Sequence, residues 1–404
     1  MPTIIAEGVE CKASCYTKVT HFRVTFFMPK PPQNLRTWVE IDKSAIEKNY
    51  RFFRKTLGKH VAFCGVIKSN AYGHNIYLYA KELERLGIDM LAVDSIVEGV
   101  SLREAGITTP LLVLGYTLPV FMKKASALGI AISVSSTDSL KALSAYRGRD
   151  TLSIHIKVDT GMHRQGFQIS ELPKVMRALR SLPKHIRVEG LFTHFAEAKR
   201  PADSARTKKQ IVQFDSWIKA FTDAGFHPLV HAGATGGGLV YTDARYDMVR
   251  IGIGIYGVWP SEEVRLFRQG DKLSPVLSWR AIVSEVKSVQ KGEGVGYDFT
   301  EELKRDSRIA IIPIGYWHGY PRLLSGKGNV LIRGKRAKVL GRVSMDMLIV
   351  DVTGIKGARA GDIATLIGRD GKESVTAEEI AHHAGTNAYE ILTRLNPLME
   401  RVLR

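Results

Sequence analysis

The chain reads as a parallel (β/α)8 barrel followed by a smaller, mostly β domain. Three observations point there. From Trp38 to about residue 265, short β-branched runs alternate with helical patterns of about 10 to 18 residues. After Leu266 the rhythm changes to strand, turn, strand without regular helices. A length of 404 residues, at roughly 100 to 200 per domain, leaves room for one large barrel and an appendage.

The strands expected in the first part lie at residues 38–41, 61–67, 90–93, 111–114, 131–134, 153–158, 187–192 and 228–231. Helical patterns at 45–56, 138–146 and 207–224 follow three of them, with apolar residues spaced for one buried face. Eight strands with intervening helices favour closure over an open sheet, which puts chemistry at the C-terminal strand ends. In the second part, strands are expected at 276–289, 308–313, 329–332, 335–340, 347–352 and 362–367, a helix at 376–384 and a last strand near Val402. Turn signals such as Arg333-Gly334-Lys335 and Asp370-Gly371 separate them. The expected division is an extension over 1–36, a barrel over 37–266 and a β domain over 267–404.

Composition narrows the function. Apolar residues at 45% and charged ones at 24% are those of a globular chain, and no run approaches the roughly 18 apolar residues of a membrane span. The 58 Lys and Arg against 40 Asp and Glu give a formal +18, which attracts anions of every kind without choosing among them. Basic runs are short, as at Lys199, Arg200, Arg206, Lys208 and Lys209, and read as solvated helix faces, so neither a nucleic-acid nor a membrane partner is expected. Three cysteines, at 11, 15 and 64, make no disulfide framework and lack the neighbours of a zinc site, so no metal is expected. Together with the absence of a signal-like apolar run before Met28, they suit a reducing cytoplasm.

The most informative segment is Val66-Ile-Lys68-Ser-Asn-Ala-Tyr72-Gly-His74, where an apolar strand delivers one lysine into a polar turn. A partly desolvated lysine there is a Schiff-base or proton-transfer candidate, and equally reads as a surface lysine ending a strand. Two glycine segments, Ala232 to Gly238 and Ile251 to Gly254, can converge backbone amides on a phosphate or simply allow tight turns. Gly252, Gly254 and Gly257 spell G-x-G-x-x-G, but Val258-Trp-Pro260 follows where a dinucleotide fold needs a helix.

Together with Trp38-Val-Glu40-Ile-Asp42, Lys157-Val-Asp159-Thr-Gly-Met162-His-Arg164, Thr193-His194-Phe, Arg250-Ile-Gly252-Ile253, Gly296-Tyr297, Ile314-Gly-Tyr316, Gly341-Arg-Val-Ser-Met345-Asp346 and Tyr389-Glu390, the lysine segment resembles the pyridoxal-phosphate-dependent alanine racemases. The motifs run in the family's order over residues 36 to 404. The resemblance implies pyridoxal 5'-phosphate as cofactor, an amino acid as substrate and a homodimer whose active site joins one barrel to the other subunit's β domain. It implies Lys68 as the cofactor-binding lysine and base on one face of the substrate, and Tyr297 as the base on the other. It further implies Tyr72, His194, Thr235, Arg250, Gly252, Ile253 and Tyr389 at the cofactor, and Arg164, Tyr316, Met345 and Asp346 at the substrate and its entry. Lys157 matches a position that some members carbamylate.

Racemisation needs a proton removed from one face and returned to the other, which two groups on opposite faces accomplish. A tyrosine serving as one of them needs help to ionise, its ordinary pKa being near 10. Two departures stand out. Where the family usually reads Asn-Ser the chain has Ala234-Thr235, which keeps the hydroxyl, and where it continues Ala-Asp-Gly after Tyr316 the chain has Trp317-His318-Gly319. A broad-specificity racemase, a fold-related decarboxylase and a non-catalytic cofactor-binding protein are the competing readings. The last lacks a β domain in its single-domain members.

The first 27 residues carry none of these motifs, and Met28 is the expected start of the functional chain. Deleting through Phe27 should leave dimerisation, cofactor content and racemisation unchanged, as read by gel filtration, absorbance and chiral analysis. A deletion variant that loses activity at normal cofactor occupancy would show that the extension belongs to the enzyme.

Overall fold

The computed structural model describes residues 34–202 and 204–404, so the expectations for Met28, Cys11 and Cys15 lie outside the described residues. Strand β1 (Thr37–Ile41) and the helix Lys43–Leu57, capped by Asp42 Oδ1 accepting from the Ala45 amide at 3.0 Å, open the chain. The barrel is built from β2 (Ala62–Val66), β3 (Met90–Val93), β4 (Leu111–Tyr116), β5 (Ile130–Val134), β6 (Leu152–Lys157), β7 (Ile186–Phe192), β8 (Leu229–His231) and β9 (Met248–Ile251). All eight are parallel, and β2 closes the ring against β9 with Cys64 opposite Arg250.

β1 is not a barrel strand, contrary to expectation. It pairs antiparallel with Leu277–Ile282 and parallel with Glu400–Leu403, inside the sheet of the second domain, and β9 is the eighth stave instead. The TWVEI run has the same pattern as a barrel strand and precedes a helix as one would, and periodicity does not say which sheet a strand joins. Its place is fixed by Glu40, 8% exposed, whose Oε2 accepts from Arg280 at 2.7 Å and whose Oε1 accepts from the Trp38 indole at 3.1 Å.

The second sheet runs in the order Glu285–Val289, Ser307–Ile312, Leu348–Asp351, Lys335–Leu340, Asn329–Ile332, Ile363–Asp370, Leu277–Ile282, β1, Glu400–Leu403, with Glu373–Val375 on the side. The single strand expected over 276–289 is therefore two. The chain breaks where Val283 donates to Asp362 O and Ser284 to Ile311 O, and its two halves join distant parts of the sheet. One apolar core runs through barrel and sheet, and a satellite of Val295, Leu303, Ile309 and Leu340 lies apart from it. No helix of the described residues is long and apolar enough to cross a membrane.

Beyond β2 the backbone reverses its hand. Ser69, Asn70, Ala71 and Tyr72 have φ of 55°, 55°, 52° and 51°, a left-handed turn that costs L-residues about 1–2 kcal/mol each. Surrounding bonds hold it. Ser69 N donates to Glu98 Oε1 at 2.7 Å, Ile76 N to Asn70 Oδ1 at 2.9 Å, and the His74 ring sits 3.0 Å from both Ala71 O and Tyr72 O. From the second domain, buried Arg401 donates to Gly73 O at 3.1 Å while binding Asn396 O, Met399 O and Leu395 O.

Gly73, at φ 84°, ends the turn with Leu392 O only 2.1 Å from where a Cβ would stand. Gly73→Ala should therefore destabilise the protein by about 2–4 kcal/mol through overpacking and positive φ together, measured by denaturant unfolding. A change within 0.5 kcal/mol of zero would mean that the domain seam yields easily at this point.

Candidate active site

The C-terminal strand ends open into one cavity of about 740 Å³. Its walls bring together nine of the residues singled out from sequence: Lys68, Tyr72, Arg164, His194, Thr235, Arg250, Gly252, Ile253 and Tyr389. Asp94 is the one carboxylate among the described lining residues, against Lys68, Lys157, Arg164, Lys199 and Arg250. Lys68 Nζ meets Asp94 Oδ1 at 3.1 Å, and Glu98 links their two loops, Oε1 taking Ser69 N and Oε2 taking Asp94 N.

Arg250, on β9, is 2% exposed and wholly occupied on its inner side. Its Nη2 donates to Thr193 O and Ala232 O, both at 2.8 Å, and lies 3.3 Å from His194 Nδ1; its Nη1 lies 2.6 Å from His231 Nδ1. Burial lowers its pKa to about 10, which still leaves it charged at neutral pH. Phe192 faces it at 5.3 Å and stacks on His231. Burial and then the Arg250 charge push His194 down to about 3, so this ring is neutral.

Opposite, the Tyr72 ring lies 4.9 Å from Tyr256 and 6.0 Å from Tyr389, which comes from helix Ala388–Thr393 of the second domain. A Cβ on Gly252 would stand 2.7 Å from the Tyr72 hydroxyl. The Thr235 hydroxyl accepts from Gly252 N at 3.1 Å and Gly254 N at 3.3 Å, leaving its own proton to donate outward. Arg164 arrives on a loop curled by Asp159, whose Oδ1 accepts from the amides of Gly161, Met162 and His163. Lys157 Nζ donates to Gln165 Oε1 at 3.0 Å, and burial, then Arg164, lowers its pKa to about 8.

Four sequence candidates lie elsewhere. Tyr297, 68% exposed, lines a separate depression with Met345 and Asp346, and Tyr316 lines a third. Tyr316 N and Trp317 N donate to Ser344 O and Met345 O, which ties those two loops together. His318 is buried, accepts Gly315 N at 3.2 Å and lies 3.8 Å from Asp346. Asp94, Glu98, Gln165, Phe192, His155 and His231 escaped sequence reasoning. The inward alternation of 153, 155 and 157 along β6 was the available signal for His155.

A parallel barrel whose C-terminal mouth holds a lysine, a buried arginine and a ring of cations is a barrel enzyme with an anion-binding site. Sequence comparison narrows this. The profile for the alanine racemase N-terminal domain matches residues 41–260 and that for the alanine racemase C-terminal domain residues 276–403. The chain is 40% identical over 357 residues to an alanine racemase of Syntrophobacter fumaroxidans, covering 88% of this chain and 94% of that one. It is 36% identical over 375 residues to one of Methylacidiphilum infernorum, covering 92% and 94%. Among solved structures, the alanine racemase of Bacillus anthracis with bound L-Ala-P superposes with a TM-score of 0.87 at 34% identity, covering 92% of this chain and 96% of that one. The chain belongs to the alanine racemase family.

Neutral buried histidines give the fold a pH limit. His74 and His155 are lowered to about 4 and His194 to about 3, each by burial first. Their folded pKa values lie below the ordinary 6.5, so their stabilisation is complete above pH 6.5 and is lost as pH falls from there through about 4. Each can remove on the order of 3 kcal/mol. Melting temperature of the cofactor-free protein should fall steeply between pH 6.5 and 4.5, and a flat profile would refute neutral burial.

Proposed function

We propose that the chain is a pyridoxal-phosphate-dependent alanine racemase that interconverts L- and D-alanine in the cytoplasm and supplies D-alanine for peptidoglycan. The observation that carries this is the joining of Lys68, Arg250 and the Tyr72–Thr235–Gly252 wall in one cavity. In this reading residues 1–36 precede a cofactor-binding barrel, and the β domain begins near residue 267, with β1 crossing into its sheet.

The cavity suits that cofactor. Five cations against one carboxylate favour a phosphate, and the bare backbone at Gly252 leaves the Tyr72 hydroxyl free of a side chain that would stand 2.7 Å away. Lys68 Nζ supplies the amine that an aldehyde needs. Tyr72, Tyr389, Thr235, Gly252 and Ile253 would hold the phosphate, His194 the ring face and Arg250 the ring nitrogen. Pyridoxal phosphate, when bound, supplies an electron-withdrawing ring that makes the substrate α-hydrogen removable.

The chain's own groups do the rest. Arg250 would donate to the ring nitrogen and disfavour its protonation, which would keep proton return at the substrate α-carbon. Arg164 of one subunit and the Met345 amide of the other hold the substrate carboxylate, and Tyr316 and Asp346 line its entry. Lys68 Nζ exchanges a proton with one face of the α-carbon, and Tyr297 Oη with the other. Within one chain Tyr297 stands outside the Lys68 cavity, on an exposed surface with Phe299, Met345 and Met347. That separation supports a homodimer in which each cavity is completed by the partner subunit's β domain.

Lys68→Ala should abolish both the visible absorbance of bound cofactor and turnover. Tyr297→Phe should keep the absorbance, lose racemisation and retain α-hydrogen exchange from one enantiomer. Hybrid dimers of the two inactive variants carry one intact composite site each, so random exchange should restore about a quarter of wild-type activity; no recovery despite exchange would place both groups in one subunit. Purified protein that binds the cofactor yet turns over no alanine would remove the racemase reading, and kinetics against a panel of L-amino acids would set its breadth.

A further inference from the structure

Behind Arg250 the barrel interior contains a chain of histidines. His231 Nδ1 is 2.6 Å from Arg250 Nη1, and His231 Nε2 is 2.9 Å from His155 Nδ1. Both rings are completely buried. A guanidinium only donates, so His231 Nδ1 must accept and, the ring being neutral, its proton sits on Nε2. That proton points at His155 Nδ1, which must accept in turn and leaves the second proton on His155 Nε2. The reverse order would set two donors against each other at 2.6 Å. One protonation pattern satisfies the chain.

We propose that His155 is a positioning residue for the reaction: it fixes the tautomer of His231 and thereby the plane and direction of Arg250 at the cavity wall. The inference rests on the racemase reading, in which Arg250 faces the cofactor ring nitrogen. Two features show that His155 is placed rather than merely packed. Its Nε2 has no hydrogen-bond partner among the described residues, and a buried unmet donor costs about 1–3 kcal/mol, which a leucine or phenylalanine would avoid. The ring also lies against the bare backbone of β7, where a Cβ on Gly190 would come within 2.0 Å of His155 Nδ1. Phe192, parallel to His231 at 4.8 Å, prevents that ring from turning to another partner.

Two substitutions separate positioning from packing. His155→Asn places an acceptor oxygen near the Nδ1 position, and His155→Leu fills similar space without one. In the full-length protein, Leu should lower kcat by on the order of tenfold with little change in KM. It should also raise the number of abortive transaminations per racemisation, while Asn recovers most of both. Nitrogen-15 spectra of histidine-labelled, cofactor-free wild-type protein give a second readout that needs no turnover and no variant: His231 and His155 should each carry the proton on Nε2. A His231 protonated on Nδ1, or Asn and Leu variants that behave alike, would overturn the proposal. A wild-type protein that shows the expected tautomers but no racemisation would instead remove the racemase reading and leave the histidine chain standing.

Discussion

The left-handed turn after Lys68 is the constraint on which the site depends. A parallel barrel strand ordinarily runs into a right-handed helix, and four L-residues at positive φ do not hold that shape unaided. Here the restraint comes from two domains. Glu98 and His74 bind the turn from the barrel, and Arg401 and the Leu392 backbone press on it from the β domain. Tyr72 is thereby directed toward Gly252, where Tyr389 from the same β domain meets it. The lysine is held at the mouth because the chain's C-terminal segment folds back onto the turn that follows it.

Charge is arranged with similar economy. The cavity is rich in cations, yet the histidines beside it are neutral, since burial and Arg250 both oppose a second positive charge. Neutral rings can accept from the guanidinium, so the same burial that removes their charge makes them its partners. Arg250 thus stays charged in a completely buried place by spending its inner donors on two carbonyls and two imidazoles. The face turned to the cavity remains for a ligand.

Much of this was legible in the sequence because the signals were local. Seven of the eight staves followed from alternation, the last, Met248–Ile251, being missed while Thr37–Ile41 was counted in its place, and the strand-end lysine followed from one apolar run. What periodicity cannot encode is partner choice. TWVEI has the pattern of a barrel strand, but its neighbours are residues 277–282 and 400–403, which only the folded chain brings near. Likewise 276–289 is continuous in hydrophobicity and broken in space. The reversed hand of residues 69–72 left no mark either, since Ser-Asn-Ala-Tyr contains no glycine to announce positive φ.

The same limit explains why Tyr297 was nameable but not placeable from one chain. Its neighbours in sequence put it on a short turn with Asp298 and Phe299 at positive φ, beside Met345 and Asp346 and away from the lysine. A two-sided reaction needs its second base to approach from outside the barrel mouth, because the inner side is filled by Phe192, His194 and Arg250. A group on the barrel's own strands would have to reach over the substrate it acts on. Under the proposed mechanism, setting that base on a separate surface lets the two sides be built independently, the lysine on a strained turn and the tyrosine on an exposed turn between two short paired strands. In the proposed dimer, assembly of two chains is the step that would bring the faces together.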